Sequence, residues 1–136
     1  MTMPGFSGQH DLRGIGGGNW YLLSSFTYTS LTGESFVAPE GSITDGASTA
    51  FLFGHLNLFP TAAQNTQAAT LHDVHYRTGK HFLPDNSSIP ITRKQADQLF
   101  SEGLELENLY IQSLIGYIGL RLFGFLAWNA NARKRK

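Results

Sequence analysis

The chain has 136 residues, of which 41% are hydrophobic and 12% aromatic, so it can build a packed core and is not a disordered protein. The absence of cysteine excludes a disulfide framework and a zinc–thiolate site, and it is compatible with a reducing cytoplasm. The formal net charge is zero, although four of the ten basic residues form the tail Arg133, Lys134, Arg135 and Lys136.

The amino-terminal part predicts a small antiparallel sheet. Residues 1–19 are glycine-rich and indicate an irregular arm, without the charged and apolar regions of a secretory signal. Residues 20–29 place aromatic and leucine side chains among serines and threonines, which predicts a strand, and a turn leads to a second strand over 35–38. Residues 39–61 are expected to be mainly loop, with the run T-D-G-A-S at 44–48.

The carboxyl-terminal part predicts helices. One is expected over residues 62–79, where Gly79 can end it in the left-handed conformation. After a loop, Thr92 and Gln95 have the spacing of a capping box, and further helices are expected over 92–130. The predicted fold is therefore a single α+β domain, with a short antiparallel hairpin or sheet first and two or three packed helices after it.

An imidazole, a carboxylate and a phenol lie within five positions of the first helix. His72 and Tyr76 are i, i+4 neighbours and Asp73 and Tyr76 are i, i+3 neighbours, so their side chains can converge. If the two helices are antiparallel, Asp97 on the second meets His72 at the same level. A histidine held by a buried aspartate through one ring nitrogen presents the other as a general base. Asp73 would point beside that base, which suits a ligand of a hard cation.

The same residues have a structural interpretation. His72 can be a satisfied, half-buried histidine, while Asp73 and Asp97 cap helices or pair with Arg77 and Arg93. The residues alone leave both interpretations open.

Three spaced motifs resemble a family of small, functionally uncharacterised proteins found mainly in tailed phages and prophages. They are T-D-G-A-S at residues 44–48, A-A-x-x-H-D-x-x-Y at 68–76 and A-D-x-x-F at 96–100, and the resemblance covers roughly residues 20 to 128. The H-D-x-x-Y and A-D-x-x-F motifs are also similar to those of phospholipase A2. In that family the histidine activates a water, the adjacent aspartate binds calcium, and the tyrosine and a distant aspartate hold the histidine.

The resemblance to phospholipase A2 implies a role for each residue. His72 becomes the base, Asp73 a calcium ligand, and Tyr76 and Asp97 the groups that hold the base. Calcium is therefore the implied cofactor, and Asp45 is a further candidate ligand, from the loop before the helix.

The chain departs from the secreted phospholipases in two respects. Those proteins are disulfide-dense, whereas Ala68, Ala69 and His75 stand where cysteines would flank the dyad. Their glycine-rich calcium loop has two candidate counterparts here, residues 14–18 and residues 41–48, and neither is a clean match.

His75 has two interpretations of its own. With His72 at i, i+3 and Asp45 or Asp73 nearby, it could ligate a transition metal. The favoured alternative is an exposed, incidental histidine.

Residues 109–128 hold a single charge, Arg121, over twenty positions. A helix of that length would span about 30 Å, the thickness of a bilayer's hydrocarbon core. The favoured interpretation is a core or subunit-interface helix, and the alternatives are a membrane-spanning helix and a peripheral membrane-facing one. The basic tail over residues 131–136 could contact nucleic acid, anionic lipid or an acidic partner, or only confer solubility.

The two resemblances imply a phage-encoded, virion- or tail-associated protein that hydrolyses an envelope lipid or another ester. Other virion proteins, membrane lipid and a second copy of the chain are the expected partners, in the virion or the host cytoplasm. One alternative is a non-catalytic virion protein whose polar network holds the helices together. Another is a membrane-associated, host-interacting factor that uses the last helix.

Overall fold

The computed structural model describes residues 3–16, 19–44 and 67–135. Within them the fold is α+β, as predicted, with eight strands in two antiparallel sheets and four helices. The strands are β1 Gly5–Ser7, β2 Leu12–Gly16, β3 Asn19–Leu22, β4 Phe26–Thr29, β5 Ser35–Ala38, β6 Ile43–Thr44, β7 Lys80–Phe82 and β8 Ser88–Pro90. The helices are α1 Gln67–Thr78, α2 Arg93–Leu106, α3 Tyr110–Phe123 and α4 Phe125–Lys134.

The predicted strand over residues 20–29 is divided between two sheets. Its first part, β3, pairs with β2 and β6, while its second part, β4, pairs with β1 and β5. The β4–β5 hairpin has the predicted position, with Phe26 opposite Ala38 and Thr29 opposite Ser35. The larger sheet has the order β1-β4-β5-β7-β8, and its buried face packs against α1.

Two segments expected to be irregular contain strands. The arm over residues 1–19 includes β1 and β2, because Phe6 packs against Phe26 and Tyr28 at ring-centroid distances of 5.9 and 4.7 Å. The predicted loop after α1 contains β7 and β8, and there His81 stacks on Phe36 at 4.1 Å. In each segment one aromatic side chain packs against the core and holds the strand in place. The short polar sequence around it does not predict a strand.

The helix ends follow the sequence signals. Gly79 has a φ of 70° and its N–H donates to the His75 carbonyl at 2.8 Å, so it ends α1 as expected. Thr92 and Gln95 form the predicted capping box at the start of α2. Gly103 lies inside α2. A Cβ there would lie 3.0 Å from the Ala68 Cβ, so this glycine permits close packing of α1 and α2.

The long final segment forms two helices that meet at Gly124. A Cβ at this position would lie 2.5 Å from the Leu120 carbonyl oxygen and 2.6 Å from the Tyr76 hydroxyl. The glycine thus lets the bend approach α1 closely. None of the helices in the described ranges is long and apolar enough to cross a bilayer.

Helix α1 is the central element of the core. All nine residues from Ala68 to Tyr76 are buried. Leu71 and Val74 belong to the apolar cluster of the larger sheet, while Ala68 and Ala69 pack with the helices α2 and α3. The polar side chains of α1 therefore lie inside the protein and need partners there.

Candidate functional site

Asp97 receives two hydrogen bonds from α1 on one carboxylate oxygen. His72 Nε2 lies 3.0 Å from Asp97 Oδ1, and the Tyr76 hydroxyl donates to the same oxygen at 2.6 Å. The i, i+4 spacing on α1 and the capped start of α2 bring these three side chains together. All are buried, with exposed fractions of 1% for His72 and 0% for Asp97 and Tyr76.

The second carboxylate oxygen of Asp97 faces two guanidinium groups. Arg121 Nη1 on α3 donates to Asp97 Oδ2 at 2.9 Å, and Arg93 Nη1 lies 3.6 Å from the same oxygen. Arg93 Nη1 also donates to the Leu120 carbonyl at 2.8 Å, near the end of α3. Three helices therefore meet at one buried carboxylate, and its negative charge is compensated by cations.

The surroundings of Asp97 decide its charge. Burial alone would raise the pKa of this carboxyl, but the hydrogen bond and charge of His72 and the hydrogen bonds from Tyr76 and Arg121 hold the pKa below its usual value. The pKa of Tyr76 is raised, first by burial and then by its hydrogen bond to the Asp97 carboxylate. Tyr76 therefore stays a neutral hydroxyl donor and Asp97 stays an ionised acceptor.

An ionised Asp97 fixes the tautomer of His72. The carboxylate can only accept, so His72 Nε2 carries a proton and donates it. In the neutral imidazole the lone pair then lies on Nδ1. This is the arrangement that a general base requires, and the carboxylate stabilises the imidazolium that forms when the base takes a proton.

Asp73 has a cation as neighbour. Its Oδ2 lies 3.6 Å from Arg77 Nε, and its side chain is buried. The other predicted calcium ligand, Asp45, lies outside the described residues, as does the rest of T-D-G-A-S after Thr44. Residues 3–16, 19–44 and 67–135 contain no group of three or more ligating side chains that could hold a metal ion. The calcium site that the resemblance implies stays a prediction, because one of its two candidate ligands lies outside the described residues.

His75 is not exposed, contrary to the favoured interpretation of the sequence. It is 1% exposed because it faces the sheet side of α1, where its ring lies 4.8 Å from that of His81 and 6.5 Å from that of Phe36. Neither ring nitrogen of His75 has a hydrogen-bond partner within the described ranges. Burial, followed by the charges of His81 and His72, holds the pKa of His75 well below its usual value. His75 is thus a neutral core residue.

Sequence reasoning missed one member of the site. The pairs of Asp73 with Arg77 and of Asp97 with Arg93 match the structural interpretation of the sequence. Arg121 did not enter either interpretation of the site. The sequence feature that could have identified Arg121 is that it is the single charge in residues 109–128. A lone charge in an apolar helical segment needs a partner when that segment packs against the protein.

A family model described as "Protein of unknown function (DUF1353)" matches residues 20–119. The match includes His72, Tyr76 and Asp97, and it ends before Arg121. No curated protein and no solved structure matches the chain.

Proposed function

The chain belongs to the DUF1353 family of proteins of unknown function, and from its site we propose that it hydrolyses an ester, such as an envelope lipid, with His72 as general base. One observation supports this most directly: Asp97 Oδ1 accepts from both His72 Nε2 and the Tyr76 hydroxyl. A histidine held in this tautomer by a charge-compensated carboxylate carries its lone pair on Nδ1, the atom on which a general base takes up a proton.

The proposed reaction needs only water and the ester. Water attacks the ester carbonyl carbon while His72 Nδ1 takes one of its protons, and Asp97 stabilises the resulting imidazolium. The tetrahedral intermediate then breaks its bond to the alcohol oxygen, and His72 returns the proton to that oxygen. The products are a carboxylic acid and an alcohol, and the base is restored.

Arg121 and Arg93 are positioning residues in this proposal. Their guanidinium groups face Asp97 Oδ2 and favour its ionised form, while Oδ1 remains turned toward His72. Tyr76 limits the rotation of the same carboxylate through its 2.6 Å hydrogen bond. The base therefore acquires its orientation from three helices.

Hydrolysis of a chromogenic short-chain ester and of phospholipid vesicles by the purified chain tests the proposal. His72→Gln should lower the rate by on the order of a hundredfold or more, as for loss of a general base. Tyr76→Phe should lower it less, because the His72–Asp97 pair remains. Asp85→Asn, at an exposed turn, is the control. Circular dichroism must show that each variant is folded. Undetectable hydrolysis by the wild type, or full activity of folded His72→Gln, would overturn the proposal.

A second candidate is a structural virion protein in which the same network locks α1, α2 and α3 together. The 1% exposure of His72 favours it, because a base must be reached by water. In this case Asp97→Asn lowers stability, and the wild type hydrolyses none of the esters. Mass spectrometry of purified phage particles tests the virion assignment of either candidate. Calcium and a calcium chelator added to the ester assay test the role that the resemblance to phospholipase A2 implies for Asp73.

A further inference from the structure

Helix α3 places its large apolar side chains outward and small ones inward. The side facing the protein holds Ser113, Gly116 and Leu120, all of them buried. The opposite side holds large aliphatic residues with exposed fractions between 51% and 62%, namely Ile111, Leu114, Ile118 and Leu122. Their spacing of three and four positions makes them one continuous stripe. A helix exposed to water on this side would show the reverse pattern.

The stripe continues around the bend at Gly124. Phe123, Phe125 and Leu126 are also 44% to 56% exposed. Together, these three residues and the four aliphatic residues of α3 form what we call the outer apolar face. Seven large apolar side chains exposed within residues 111–126 exceed the scattered exposure that monomeric proteins normally show.

All the charged residues in the segment that contains the outer apolar face are basic, and four of the five are its last four residues. Residues 109–136 contain five basic residues and no acidic one, whereas residues 1–108 contain the other five basic residues and all ten acidic ones. Arg121 is directed toward Asp97, and Arg135 donates to the Tyr76 carbonyl at 3.3 Å, while Arg133 and Lys134 are exposed at the end of α4. An apolar face followed by exposed cations is typical of helices that lie in the interface of an anionic membrane.

We propose that the outer apolar face binds the surface of an anionic lipid bilayer. Helices α3 and α4 lie along the headgroup region, with the apolar stripe toward the acyl chains and the basic end of α4 on the lipid phosphates. Anionic lipid is the occupant that we infer, because its phosphate groups complement the exposed cations at the end of α4. The proposal does not depend on the hydrolytic activity.

Flotation of the full chain with vesicles tests this binding. Vesicles of phosphatidylcholine alone should retain little protein, and vesicles that also contain phosphatidylglycerol should retain most of it, less so at high salt. Ile118→Asp, in the middle of the outer apolar face, should weaken binding by on the order of tenfold or more. Leu31→Asp is the matched control, since Leu31 is 63% exposed in the β4–β5 turn. Lys134→Gln should weaken binding by about fivefold and reduce its salt dependence.

Three results would overturn the proposal: no binding to either vesicle, equal binding to both, or unchanged binding by Ile118→Asp. Sedimentation that shows a dimer which Ile118→Asp dissociates, without vesicle binding by the wild type, would assign the face to a second copy. Folded His72→Gln should bind vesicles like the wild type. The lipid-binding and hydrolytic proposals can therefore fail separately.

Discussion

The Tyr76 hydroxyl and the backbone of Gly124 are in such close approach that a Cβ on residue 124 would lie 2.6 Å from the phenol oxygen. This contact joins the α3–α4 bend directly to the donor that holds Asp97. Gly124 therefore lies between the outer apolar face and the hydrogen-bonded group of Tyr76 and Asp97.

Gly124→Ala should destabilise the protein by about 1–3 kcal/mol, the usual cost of overpacking. The added methyl group would meet the Leu120 carbonyl oxygen and the Tyr76 hydroxyl, so the bend must move away from α1. Urea unfolding measures the change. Gly14→Ala is the control, because its Cβ would meet only the Trp20 ring at 3.5 Å, an ordinary contact. Equal stability of the two variants would contradict the close approach.

Asp97→Asn should lower the free energy of unfolding by about 1–3 kcal/mol, because the half-buried guanidinium groups of Arg93 and Arg121 lose their counter-charge and the hydrogen bonds to the carboxylate must rearrange. The double variant with Arg121→Met should recover part of that loss, because it also removes the charge that Asp97→Asn leaves unpaired. Thermal or urea unfolding of the two single variants and the double variant gives the coupling free energy. Strict additivity would show that the 2.9 Å contact between Arg121 and Asp97 contributes nothing.

The free energy of unfolding should fall in acid because of His75 and His81, two buried histidines between α1 and the larger sheet. Burial lowers the pKa of His81 to about 4, and the pKa of His75 lies well below its usual value. Below about pH 6.5 these histidines are protonated in the unfolded chain but stay neutral in the folded one, so stability falls as the pH decreases toward 4. Each histidine contributes a slope of up to about 1.4 kcal/mol per pH unit. Urea midpoints measured across this range should decline less steeply in His81→Gln, and identical slopes would contradict the assignment.

Glu107 should give stability the opposite dependence on pH. Burial raises the pKa of this carboxyl to about 7, against a hydrogen bond from the Gln67 backbone that lowers it. The folded state therefore keeps a proton that the unfolded chain releases above about pH 4.5, and stability falls as the pH rises from there to 7. Glu107→Gln should be more stable than the wild type at pH 7 and close to it at pH 4.5. A stability gain that does not vary with pH would exclude ionisation as the cause.

The sequence predicted the features that depend on local spacing. The β4–β5 hairpin, the end of α1 at Gly79 and the capping box of α2 each follow from residues close together in the chain. The meeting of His72, Tyr76 and Asp97 also followed, because helical periodicity fixes which side chains share a face and the cap fixes where α2 begins.

What the sequence did not predict depends on contacts between distant residues. Strand β1 exists because Phe6 finds Phe26 and Tyr28, and its own residues have little strand character. Arg121 reaches Asp97 only because α2 and α3 pack together, which no local pattern encodes. The burial of His75 likewise comes from a sheet on one side of α1 and helices on the other.

The distribution of the Asp97 partners along the chain has a consequence for synthesis. His72, Tyr76, Arg93 and Arg121 span about fifty residues, and Gly124 closes the bend beyond them. A nascent polypeptide that has left the ribosome only as far as α2 holds an interior carboxylate without its nearest cation. The hydrogen-bonded group around Asp97 can therefore form only after α3 and α4 have been translated. Until then α1 cannot be buried on the side that these helices cover.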